Sequence, residues 1–100
     1  MNTLDGFTLA EERVKLANEY AKMAEDLGNI LTVKAVKWAI FRADPDCKSD
    51  TSAEKRWDAT NEGLEEMRLR LKMKAYEKQL SATGTLLRAM EMEWRNRGTV

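Results

Sequence analysis

Apolar positions recur every three to four residues along most of the chain, the spacing of one face of an α-helix. The first such series is Ala10, Val14, Ala17, Tyr20 or Ala21, Ala24 and Leu27. Thr8-Leu9-Ala10-Glu11 ahead of it fits a capping box, in which the hydroxyl accepts a backbone N–H three residues on and the glutamate reaches back. Gly28 supplies a left-handed stop. The pattern predicts a helix over 9–27, with an alanine-rich stripe that lets a neighbouring helix come close.

Residues 30–43 are apolar nearly all round. Ile30, Val33, Val36, Trp38, Ile40 and Phe41 favour a strand by propensity, and the alternating Met67–Lys74 segment is the one candidate to pair with it. That segment has no β-branched residue and is built from helix formers, so both segments are taken as helices. A helix apolar on every side is expected to be the buried central element. Asp44-Pro45-Asp46 ends it, since proline disfavours helix at the preceding residue. Residues 44–51 form the loop, and Thr51-Ser52-Ala53-Glu54 is a second capping box.

The C-terminal half carries two helical stripes. Ala53, Trp57, Thr60, Leu64, Met67 and Leu71 follow alternating four–three spacing, and so do Leu69, Met73, Tyr76, Leu80, Thr83, Leu87, Met90 and Trp94. The second register is displaced by two residues, about 200° around a helix. Either the chain breaks near Gly63 and folds back, or one long helix packs on its own domain at one end and on a second chain at the other. Thr83-Gly84-Thr85 is a second weak point, and Arg95, Arg97 and Gly98 form the stop. The fold class is therefore all-α: a single domain, residues 1–100, of three to four helices at about 9–27, 30–43, 52–62 and 64–96.

Composition narrows the chemistry. The chain has no His, which removes Ser-His-Asp and Cys-His nucleophile arrangements and every His-containing zinc site. Cys47 is the one cysteine, so no internal disulfide or thiolate cluster forms and a reducing, cytoplasmic setting is expected. Met1-Asn2-Thr3-Leu4-Asp5 lacks the basic start and apolar stretch of a secretion signal. The longest apolar run, Ile30 to Phe41, includes Lys34 and Lys37 and is too short and too charged to span a bilayer. Asp44, Asp46 and Asp50 have some look of a calcium loop, but Lys48 takes the fifth position and Lys55 the twelfth. They are expected to form the turn beside the proline. Asp58, Glu62, Glu65 and Glu66 cluster without sign of a pocket, and a solvated acidic face is expected. No catalytic signature, cofactor loop or metal set is present, and enzyme activity is not expected.

The charges balance at 17 basic and 17 acidic residues but are unevenly placed. Residues 68–78 hold five bases and one acid. On a helix these split, with Arg68 and Lys72 on one face and Arg70, Lys74 and Lys78 on the other. They suit phosphates or an acidic protein surface, or are a solvated face partly paired with acids of 11–26 or 58–66. Trp38 and Trp57 are expected in the core. Trp94, near the chain end among Glu91, Glu93, Arg95 and Arg97, has little left to bury it and is the better interface anchor.

Two classes of function follow. The leading one is a protein-binding module using Arg68, Arg70, Lys72, Lys74, Lys78, Tyr76, Leu80, Leu87 and Trp94, with homo-oligomerisation through 69–94 as a companion expectation. The other is an oligomeric helical protein contacting single-stranded nucleic acid through 68–78, for which Tyr76 is the one nearby stacking platform. The run Ala53-Glu54-Lys55-Arg56-Trp57-Asp58-Ala59-Thr60-Asn61-Glu62-Gly63, followed by a charged heptad helix, resembles small accessory proteins of bacteriophages and mobile elements, among them helical anti-CRISPR proteins and recombination mediators. The resemblance covers the C-terminal half in style and size. It implies a stoichiometric inhibitor or mediator that engages a host protein or ribonucleoprotein in a bacterial cytoplasm, and assigns no residue roles.

Overall fold

The computed structural model describes residues 6–98, with side chains through residue 96. Met1–Asp5, read above for a secretion signal, and the side chain of Arg97 lie outside the described residues. The fold is all-α, with three helices and no strand among the described residues: α1 (Gly6–Ala43), α2 (Asp50–Asp58) and α3 (Asn61–Gly98). The segments weighed as a strand pair, 30–41 and 67–74, are both helical.

The boundaries differ from the sequence reading in instructive ways. Helices expected at 9–27 and 30–43 are one helix, because Gly28 keeps helical φ; no glycine among the described residues adopts positive φ. A mid-helix glycine costs about 1 kcal/mol, less than abandoning the backbone bonds and the packing of Leu27 and Ile30 on either side. Thr8 lies inside α1 and so does not cap its start. The cap of α2 is Ser49 instead of Thr51: its extended backbone (φ −152°, ψ 162°) lets the hydroxyl accept the Ser52 N–H at 3.1 Å.

The C-terminal region breaks at Ala59–Thr60 and is then continuous through Gly63 and Gly84. Thr60 makes the corner. Its hydroxyl donates to the Trp57 carbonyl at 2.6 Å and accepts the Gly63 N–H at 3.0 Å. A Cβ at Gly63 would sit deep inside the Trp57 carbonyl group and 3.0 Å from the Asp58 Cα. The expected bend at Gly63 is thus displaced by three residues, and the glycine acts by letting two backbones touch.

Contacts divide the chain into two compact units. In the first, residues 6–21 of α1 pair with residues 74–98 of α3. Gly6 neighbours Met90, Arg13 neighbours Gly84, and Glu19 and Tyr20 meet Tyr76 and Glu77. One sequence rises as the other falls, so the helices are antiparallel here. Leu9 and Leu16 are buried in this unit, and Tyr76, Leu80, Thr83, Leu87 and Met90 are half-buried. From Tyr76 to Met90 the second stripe is this unit's inner face.

The second unit, residues 22–73, holds the end of α1, all of α2 and the start of α3. Its core is Met23, Cys47, Ala53 and the fully buried Trp57. Trp38 is half-buried. The first stripe is corrected beyond Trp57: Leu64, Met67 and Leu71 are 42%, 50% and 63% exposed. The inner face of α3 there runs through Glu62, Glu66, Leu69 and Met73, continuing the four–three spacing of the second stripe through two acids. The expectation that 30–43 is a buried central helix also fails, since Val36 and Ile40 are 61% and 63% exposed.

Candidate functional site

Of the acids expected on a solvated face, Asp58 and Glu65 are exposed, whereas Glu62 and Glu66 point inward. Glu66 is buried and accepts the Trp57 indole N–H and the Arg70 Nε–H, each at 2.8 Å, with the Lys34 ammonium at 3.4 Å. Lys34 also donates to Glu54 at 2.9 Å and stands 5.8 Å from the centre of the Trp57 ring. Lys37 pairs with Glu62 at 2.8 Å. Burial raises the Glu66 carboxyl, but Arg70, the Trp57 N–H and Lys34 outweigh it and hold the group below its ordinary value. Burial likewise opposes the Lys34 charge, and Glu54 and Glu66 overcome it. No buried side-chain nitrogen or oxygen among the described residues lacks a partner, and the cluster joins three helical segments.

Asp44 behaves as the turn former expected of it. One carboxylate oxygen accepts the Asp46 N–H at 2.9 Å, and the other pairs with Arg56 at 2.8 Å. Arg56 and that backbone bond lower its pKa. No group of three or more His, Cys, Asp or Glu suited to a metal occurs among the described residues, and no helix there is long and apolar enough to cross a membrane.

The nine residues singled out for partner binding fall into different settings. In the second unit, Arg68 and Lys72 are exposed beside Leu64, Met67 and Leu71 on α3. Arg70 is committed to Glu66 and is no free cation. In the first unit, Lys74 and Lys78 are exposed. Tyr76 donates its hydroxyl to Glu19 at 2.6 Å, which holds the ring against α1 and takes it away from base stacking. Leu80 and Leu87 are half-buried within the helix pair, so the stripe expected to join two chains already packs inside one. Both tyrosine hydroxyls that cross the pair, Tyr20 to Glu77 and Tyr76 to Glu19, are held to the neutral phenol by their carboxylate partners, and their pKa values rise.

Trp94 is 78% exposed. It borders an open groove of about 620 Å³ lined by Gly6, Leu87, Met90 and Glu91. Glu91 is held by Arg95 one turn later at 2.9 Å. The groove is apolar with a charged edge. Hydrophobic spacing placed Trp94 on the inner stripe, yet it is exposed.

The sequence reading missed the outer face of α1 in the second unit, where Val33, Val36 and Ile40 are exposed. The signal was present: the only charges between Gly28 and Phe41 are Lys34 and Lys37, both turned inward to glutamates. No family model matches this chain, and no curated protein or solved structure shows significant similarity to it.

Proposed function

We propose that this chain is a non-enzymatic protein-binding module that docks on a larger host protein or ribonucleoprotein, in the manner of a phage-encoded stoichiometric inhibitor. The observation that carries the reading is Trp94, 78% exposed over the groove of Leu87 and Met90. A tryptophan left open beside an apolar groove is the kind of residue on which interface energy concentrates. Lys74 and Lys78 of the same unit make no ion pair among the described residues and supply long-range attraction to an acidic partner surface. The resemblance of the C-terminal half to accessory proteins of bacteriophages points the same way. The nucleic-acid alternative loses its stacking platform to the Tyr76–Glu19 bond.

The test is affinity capture from a bacterial lysate with wild type, Trp94→Ala and Lys74→Glu with Lys78→Glu, followed by binding measurements on the captured species. Loss of a buried interface tryptophan costs about 2 kcal/mol or more, so Trp94→Ala weakens binding about 30-fold or more. Charge reversal slows association most at low salt. Binding that survives both changes removes the surface. Tight binding of single-stranded DNA at physiological salt, with no protein captured, replaces the reading with the nucleic-acid one.

A further inference from the structure

The segment of α1 beyond Gly28 has inverted polarity. Its lysines face inward, Lys34 to Glu54 and Glu66 and Lys37 to Glu62, while its outward face carries no charge. At 100° per residue, Thr32, Val33, Val36, Ala39, Ile40 and Ala43 fall within an arc of about 120°. All six are exposed. Asn29 sits on the same arc at its N-terminal end. One and two turns earlier the arc carries Glu25 and Lys22, so the uncharged stretch is bounded and local. The hydroxyl of Thr32 donates to the Gly28 carbonyl at 3.0 Å, which leaves its methyl to face outward and no donor to strand on burial. Helix α2 lies along another flank of α1, where Glu54 lines a hollow with Leu31, Lys34, Ala35 and Trp38.

We propose that this face is a homodimer interface, in which α1 of one chain packs antiparallel on α1 of a second copy about a two-fold axis at Val36. Exposed valine and isoleucine on one uncharged helix face favour burial, and the described residues of the chain leave this face open. The uncharged face runs from Asn29 to Ala43 and is centred on Val36. A two-fold there sets Thr32 against Ile40 and Val33 against Ala39 of the second copy, small against large along the contact. Self-pairing of a neutral face meets no like-charge repulsion, and an isologous contact needs the same patch on both copies. A charged partner would bury its charges here without an opposite charge to meet them. The face is about 22 Å long, and two such helices bury on the order of 1,000 Å², the lower end for a specific interface. The dimer is therefore weak and concentration-dependent. This inference does not rest on the groove at Trp94.

Sedimentation equilibrium of the full chain tests it. Over about 1 to 300 µM, the range of a small interface, the wild-type mass climbs from 11.5 kDa towards twice that value. Val36→Glu stays at the monomer mass with unchanged helical circular dichroism. A wild type that remains monomeric throughout, or a dimer indifferent to Val36→Glu, overturns the proposal. Should Val36→Glu lose helicity, a second arm decides. Val36→Cys, with the buried Cys47 changed to Ser, is treated with a short bis-maleimide beside Lys55→Cys on the exposed side of α2. The two-fold brings position 36 against itself, so covalent dimer exceeds the Lys55→Cys control about tenfold or more, as expected of a specific pair over random collision. Equal yields overturn the placement. Dissociation on binding another protein, with Val36→Glu blocking that binding, assigns the face to a different partner and also overturns it.

Discussion

The indole N–H of Trp57 donates to the Glu66 carboxylate at 2.8 Å, joining a fully buried side chain of α2 to a buried acid of α3. Lys34 of α1 reaches the same carboxylate, so one acid ties together the three helical segments of its unit. Removing the acid strands the indole N–H of the fully buried Trp57, while Lys34 keeps Glu54 and the half-exposed Arg70 turns to water. Glu66→Ala should therefore cost about 2 kcal/mol, the order of one buried donor left unsatisfied. Glu66→Gln, which still accepts from Trp57, should cost clearly less. Urea unfolding read at the tryptophan fluorescence measures both, and equal effects of the two substitutions would count against the hydrogen bond as the source.

Two glycines on the helices should respond in opposite directions. A Cβ at Gly28 meets nothing within 4 Å, so Gly28→Ala should raise stability by about 0.5–1 kcal/mol. A Cβ at Gly63 would lie 2.8 Å from the Trp57 carbonyl carbon and closer still to its oxygen. Backbone has nowhere to rotate away, and Gly63→Ala should destabilise by about 2 kcal/mol or more. Thermal melts of the two variants beside wild type decide the matter.

Acid should loosen the second unit. Glu66, Glu62 and Asp44 are all held below their ordinary values. As pH falls below about 4.5, the ordinary glutamate value, the unfolded chain takes up protons before the folded one does. Stability from these groups is present above that pH and is lost as pH drops through the folded values. Glu66→Gln should flatten the dependence between neutral pH and pH 3, the span of an ordinary carboxylate titration. A melt series of equal steepness in both proteins would remove Glu66 from the account.

Alkali should act on the first unit. Tyr20 and Tyr76 are raised above 10.0 by hydrogen bonds to Glu77 and Glu19. A raised phenol supports the fold below its unfolded pKa, and that support fades as pH climbs through the folded value. Ultraviolet titration should show both phenols ionising late, and Glu19→Gln should bring one of them back towards the ordinary value. Two normal titrations in wild type would contradict the pairing.

What the sequence determined by itself is periodicity and chemical type. The helical class follows from three-to-four spacing, the loop at Pro45 from proline's geometry, and the presence of an apolar stripe from Leu69 through Met90 from its alternating four–three spacing. Spacing could not say which partner covers each face. Leu64, Met67 and Leu71 repeat as regularly as any core stripe and stay exposed, because Glu62 and Glu66 take the inner positions. Acids are affordable there only since Lys37 and Lys34 arrive from a helix some thirty residues away, a match made in space. Tertiary contact likewise turned Gly28 from a stop into a helical residue, made Gly63 a point of backbone contact, and set Lys34 and Lys37 inward so that Val36 and Ile40 face out. Local rules assign each residue its preferences; which of those preferences prevails is decided by the long-range pairing of charges and the sterics of close backbones, which appear only when distant segments meet.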